Sequence, residues 1–130
     1  MRHGMLLLGL ALVAGCQGSR QQHDPGEEAA IVKVEQLEGR VHYDEGRQGM
    51  IPVVKVDYSG TYVGDDALVP LKSFTQLEEV DLAGTRVTDR GLQHLKSVPS
   101  LKRLRVHRTR LSSEGLQELQ RALPQLVIVR

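Results

Sequence analysis

Histidines, a lone cysteine and a run of arginines are the side chains best equipped for chemistry in this 130-residue chain. His3, His23, His42, His94 and His107 are scattered. None forms a His-x-x-x-His pair, none has a cysteine beside it to build a metal tetrahedron, and no two carboxylates are framed by glycine-rich turns. These residues point away from an enzyme, and no catalytic residue, metal ligand or cofactor is assigned. What remains is charge: Glu78, Glu79 and Asp81 stand 24 positions before Lys102, Arg103 and Arg105, and the basic set continues into His107, Arg108 and Arg110. Such a set can pair acid with base across neighbouring elements, or present cations to an anionic partner.

Composition narrows the classes. Seventeen basic against sixteen acidic side chains give a formal net charge of +1, which excludes a strongly basic nucleic-acid binder. The zero-like balance conceals a dipole: residues 101–130 hold seven basic and two acidic side chains, net +5, whereas residues 16–100 hold nine and fourteen, net −5. A single Cys excludes an internal disulfide framework. Hydrophobic content of 40% with only 3% aromatics and no Trp predicts one small domain with a core of Leu and Val.

The elements that must position the charges follow from a repeat. Leu77, Val80, Leu82, Thr85, Val87, Leu92 and Leu95 recur 24 residues later as Leu101, Leu104, Val106, Thr109, Leu111, Leu116 and Leu119. The same frame runs back to Val53, Val56, Tyr58, Thr61, Val63, Leu68 and Leu71. Each unit reads as a strand with inward residues at period 2, a turn, and a short helix with one apolar side. Thr88 and Ser112 stand where helix N-caps belong, with Asp65 as their counterpart in the first unit. Pro99 and Pro124 close the second and third helices; the third unit is one residue longer, since Pro99 to Leu101 matches Pro124 to Leu126.

Ahead of the repeat, Asp24-Pro25-Gly26-Glu27 reads as a helix start, with Ile31, Val34 and Leu37 on one face and Gly39 as the stop. Val41 and Tyr43 then form a short strand, followed by a turn at Asp44-Glu45-Gly46-Arg47. Leu126-Val127-Ile128-Val129 reads as a last strand whose outer edge is uncovered, suited to pairing with another sheet or a second copy.

The pattern Leu77-x-x-Val80-x-Leu82-x-x-Thr85-x-Val87-Thr88-Asp89-x-Gly91-Leu92-x-x-Leu95 resembles a leucine-rich repeat over about residues 50–130. The resemblance implies an α/β fold: a short right-handed solenoid of three 24-residue strand–turn–helix coils on a parallel sheet, with a helix-and-strand cap at its start. It departs from the commonest form by placing Thr61, Thr85 and Thr109 where Asn usually stands. That position turns the chain out of the strand, and a Thr hydroxyl there can both donate and accept, laddering from coil to coil. In such repeats the partner surface is usually the sheet face. This implies protein binding through Glu78, Glu79, Asp81, Lys102, Arg103, Arg105, His107, Arg108 and Arg110, with pairs expected between Glu78 and Lys102, Glu79 and both Lys55 and Arg103, and Asp81 and Arg105. An anionic envelope polymer is the rival ligand for the basic strand, and a third reading makes the chain a paralogue or fragment of a longer array.

The beginning of the chain carries a second resemblance. A positive charge at Arg2, an apolar run from Met5 to Val13 too short to span a bilayer, and Leu12-Val13-Ala14-Gly15-Cys16 resemble the signal peptide and lipobox of bacterial lipoproteins. The resemblance implies cleavage after residue 15, acylation of Cys16, and two or three acyl chains holding the protein on the envelope, at the outer membrane or the periplasmic face of the inner one. The expected organisation is a signal peptide over 1–15, a tether over 16–23, a cap over 24–52, and repeats over 53–76, 77–100 and 101–125 with a final strand at 126–129.

Overall fold

Alternation of inward Val and Leu with outward charge produces the sheet. A computed structural model of the protein describes residues 25–46 and 51–130. The expected signal peptide, the Cys16 anchor, the tether, Asp24, Arg47 and the histidines His3 and His23 lie outside those residues. In β2 (Val53–Asp57) Val53 and Val56 are fully buried, whereas Lys55 and Asp57 are half-buried. β3 (Glu79–Asp81) and β4 (Arg103–Arg105) each bury their central residue, Val80 and Leu104. β5 (Val127–Val129) follows with Ile128 packed against the core. All four run parallel in one register: Lys55, Glu79, Arg103 and Val127 form one row, and Val56, Val80, Leu104 and Ile128 the next.

β1 (Arg40–Tyr43) pairs antiparallel with β2, so the five-stranded sheet is mixed rather than wholly parallel. The reason is the short connection from β1 to β2, too brief for the crossover that a parallel neighbour requires. The last strand also starts one residue later than expected. The extra residue, between Leu119 and Pro124, is absorbed ahead of β5, and pairing stays at Arg103 opposite Val127.

The helical segments lie in a row in the same order as the strands. α1 (Pro25–Gln36) buries Ala30, Ile31 and Val34, with Leu37 packed at the edge of the core. Its stop differs from expectation: Glu38 takes the left-handed conformation (φ 65°). Gly39 serves packing, because a Cβ there would stand 2.5 Å from the Tyr58 ring. The next segment, Asp65–Ser73, is a 3₁₀ helix containing Pro70, which removes one amide donor and disfavours α geometry at the residue before it. α2 (Asp89–Leu95) and α3 (Ser113–Ala122) are ordinary α-helices capped by Thr88 and Ser112.

One continuous apolar cluster runs from Ala30 to Leu126. Leu and Val dominate it, yet its two largest side chains are Tyr58 and Phe74. The Tyr58 hydroxyl, buried, donates to the Ala67 carbonyl at 2.9 Å, which satisfies the polar end of the ring.

A carboxylate ladder joins the last three helical segments. Asp65 does not cap its own segment, whose N-cap is Gly64 with no side-chain bond. Instead the N–H and Oγ1–H of Thr88 donate to the two Asp65 carboxylate oxygens, both at 2.6 Å. Asp89 repeats the arrangement, accepting from the N–H of Ser112 at 2.9 Å and its Oγ–H at 2.5 Å. These bonds hold the Asp89 carboxyl below the ordinary carboxylate range. The native state therefore binds fewer protons there than the unfolded chain. The resulting stability is present above the unfolded value near pH ~4 and is lost as pH falls through the lower folded value. Asp89→Asn is expected to flatten the acid limb of a stability-against-pH curve; an unchanged limb would show that the ladder contributes no proton linkage.

Candidate functional site

The outward positions of β2, β3 and β4 bring most of the expected charges onto one face. Lys102 Nζ lies 3.7 Å from Glu78, and Lys55 Nζ lies 4.0 Å from Glu79, as the 24-residue spacing predicts. Two expected pairs are not made. Glu79 stands opposite Arg103 and Asp81 opposite Arg105, but Arg105 Nε reaches diagonally to Glu79 at 3.5 Å. Side-chain reach explains this, since Asp81 is short and already engaged with its own backbone. Its carboxylate accepts the Ala83 N–H at 3.0 Å. The Arg105 contact is an ion pair without hydrogen-bond geometry, which leaves Nε unsatisfied. At the other edge Arg40 lies 3.7 Å from Asp57. Burial pushes the Asp57 carboxyl up, but hydrogen bonds from Ser59 and the charges of Arg40 and Lys55 outweigh it and hold the group below its ordinary value.

These exposed or half-exposed pairs contribute about 0–1 kcal/mol each. They fix which charges neutralise one another. Among the described residues, no ion pair involves Arg103, Arg108 or Arg110. A groove of about 390 Å³ runs between Glu78, Glu79, Lys102 and Arg103 on this face and reaches Val127.

Beyond the strands, the chain turns in the same way in each unit. Thr61, Thr85 and Thr109 each donate a hydroxyl hydrogen bond of 2.7 Å to the carbonyl three residues earlier, Tyr58, Leu82 and Val106. The threonines therefore brace their own turns and do not ladder from unit to unit. The Leu82 carbonyl also accepts the Thr85 N–H at 3.1 Å. Thr85→Val should destabilise by about 1 kcal/mol, because the carbonyl keeps one donor. Urea unfolding checks this, and a loss near 3 kcal/mol would indicate an unsatisfied group instead.

Two features of this turn region were not anticipated. The Arg86 guanidinium lies 5.1 Å from the centre of the exposed Tyr62 ring. A cleft of about 730 Å³ opens beside Gly60, Gly84, His107, Arg108 and Arg130. The first contact joins positions 24 apart and was open to the repeat frame; the cleft depends on where the last strand ends. Among the described residues no group of three or more His, Cys, Asp or Glu is placed to hold a metal ion, and no helix is long and apolar enough to cross a membrane.

The face and the turn region thus supply paired and unpaired charge on a rigid sheet. No protein-family model matches this sequence and no curated protein proves similar to it, so the chemistry rests on these side chains alone.

Proposed function

We propose that the protein is a non-enzymatic binding module of the leucine-rich-repeat kind, a three-coil solenoid behind a helix-and-strand cap, held on the bacterial envelope through lipid at Cys16. Its ligand is another protein, bound on the outward sheet face. The observation that carries this reading is the single register of β2, β3 and β4, which aligns Lys55, Glu79 and Arg103 in one row. Beside that row Glu78 and Lys102 form an exposed pair. A face of fixed spacing and mixed charge selects a complementary partner and rejects like-charged ones. β5, the last strand in the sheet order, adds a place where a second copy or a partner strand can pair.

The test is cross-linking in intact cells with the full chain, beside a Lys102→Glu plus Arg103→Glu variant. Recovery of one protein by the native face, lost in the variant and kept in Glu118→Lys on the helical side, supports the reading. Equal recovery by all three sinks it. Cys16→Ser tests the anchor separately, since it should move the protein out of the membrane fraction.

A further inference from the structure

The turns that follow β2, β3 and β4 share a backbone path but not a chemistry. In the first two, an aspartate at the end of the strand accepts the N–H two residues on: Asp57 from Ser59 at 2.8 Å and Asp81 from Ala83 at 3.0 Å. Three residues after each aspartate comes a glycine in the left-handed region, Gly60 at φ 76° and Gly84 at φ 74°. The third turn keeps the threonine brace at Thr109 but gives up both other devices. Arg105 stands in place of the aspartate and Arg108 in place of the glycine, at φ 55°. A side chain at that φ is strained, so the exchange works against folding. Its effect is to put cations where the other turns have a carboxylate and no side chain.

Arg108 borders the cleft, whereas Arg105 is drawn to Glu79 on the sheet face. Gly60 and Gly84 line the cleft without side chains, Val106, Leu111 and Leu116 line it with apolar ones, and His107, Arg108 and Arg130 supply its basic groups. Among the described residues, no acidic side chain lines it. The Gly60 and Gly84 amides already donate to the Ala83 and His107 carbonyls at 3.0 and 2.8 Å, which leaves recognition to the side chains. Guanidinium groups suit oxyanions because their planar forks bind two oxygens at once.

We propose that this cleft binds a phosphate dianion, carried either by a soluble phosphomonoester or by a membrane headgroup. The site lies off the sheet face and does not depend on the protein-binding reading; it moves the anionic-ligand alternative from the basic strand to the turn beyond it.

Arg108→Gly separates binding from folding. It restores the residue that the other two turns use, so the melting temperature should hold or rise. The full chain is titrated with inorganic phosphate against sodium chloride at equal ionic strength, following the amide signals of Gly60, Gly84 and Arg108. In parallel it is floated with phosphatidylcholine vesicles with and without phosphatidic acid, native beside variant, so that any contribution of the leader cancels. The expected result is saturable binding that weakens by about tenfold or more in Arg108→Gly, as loss of a charge-assisted hydrogen-bonding group implies. A difference confined to the phosphate titration assigns a soluble ligand; one confined to flotation assigns a headgroup. Native and variant behaving alike in both arms, or phosphate acting no differently from chloride in the absence of selective flotation, overturns the proposal.

Discussion

Gly115→Ala is expected to destabilise the protein by about 2–4 kcal/mol, although alanine is the better helix former by about 1 kcal/mol. The reason lies 26 residues earlier. A Cβ on Gly115 would stand 2.5 Å from Asp89 Cγ and 2.5 Å from Oδ1, closer than such atoms approach. The carboxylate cannot withdraw freely, because it holds both the N–H and the hydroxyl of Ser112. Ser112 in turn accepts the Gly115 N–H at 3.0 Å and caps α3. Either the start of α3 moves or the ladder opens. Overpacking costs about 1–3 kcal/mol and a lost hydrogen bond to a charged group about 1.5–3, partly offset by helix propensity. In an Asp89→Ala background the same substitution should be neutral or mildly stabilising, since the obstacle is gone. Ala67 occupies the equivalent place in the first unit, where the residue 26 positions earlier is Val41 rather than an aspartate. Urea unfolding of the two single variants and the double variant tests the coupling; a Gly115→Ala protein as stable as the parent would remove the ladder from the account.

The mixed α/β fold was legible because its signals are local and repeated. Branched aliphatics at fixed positions placed the strands, and Thr88 and Ser112 were recognisable as caps from their hydroxyls alone. Asp65 misled because an aspartate at a helix start serves either its own segment or a neighbour, and the choice depends on Thr88 being 23 residues away in sequence and 2.6 Å away in space. The ion pairs were half legible for a related reason. Register fixes which backbones face each other, but reach and competing bonds decide the partner, as Asp81 and Arg105 show. The 3₁₀ segment had a signal in Pro70, standing where the later units have His94 and Glu118. Replacement of Gly60 and Gly84 by Arg108 was visible as an alignment, but its meaning needed the left-handed φ and the cleft beside it.

Leu104→Ala is expected to cost about 3–5 kcal/mol, the upper part of the range for removing a buried leucine. Leu104 is fully buried in the middle of β4, in register with Val80 on one side and Ile128 on the other. A cavity there loses contacts toward both neighbouring strands, and the paired backbones limit how far the walls can collapse. Leu126→Ala, at the entry to the last strand, should cost less, about 2–3 kcal/mol, because that end has neighbours on one side only. The comparison also tests how the fold holds together. In a strictly linear array, loss at β4 would loosen β4 and β5 and spare β2. Here the apolar cluster is continuous from α1 to Leu126, and the carboxylate ladder ties the 3₁₀ segment to α2 and α2 to α3. With total stability for a fold of this size of the order of 5–15 kcal/mol, such coupling favours one cooperative transition. Amide protection in Leu104→Ala should therefore fall in β2 as much as in β4; protection retained at Val56 while Arg105 exchanges freely would show that the units open one at a time.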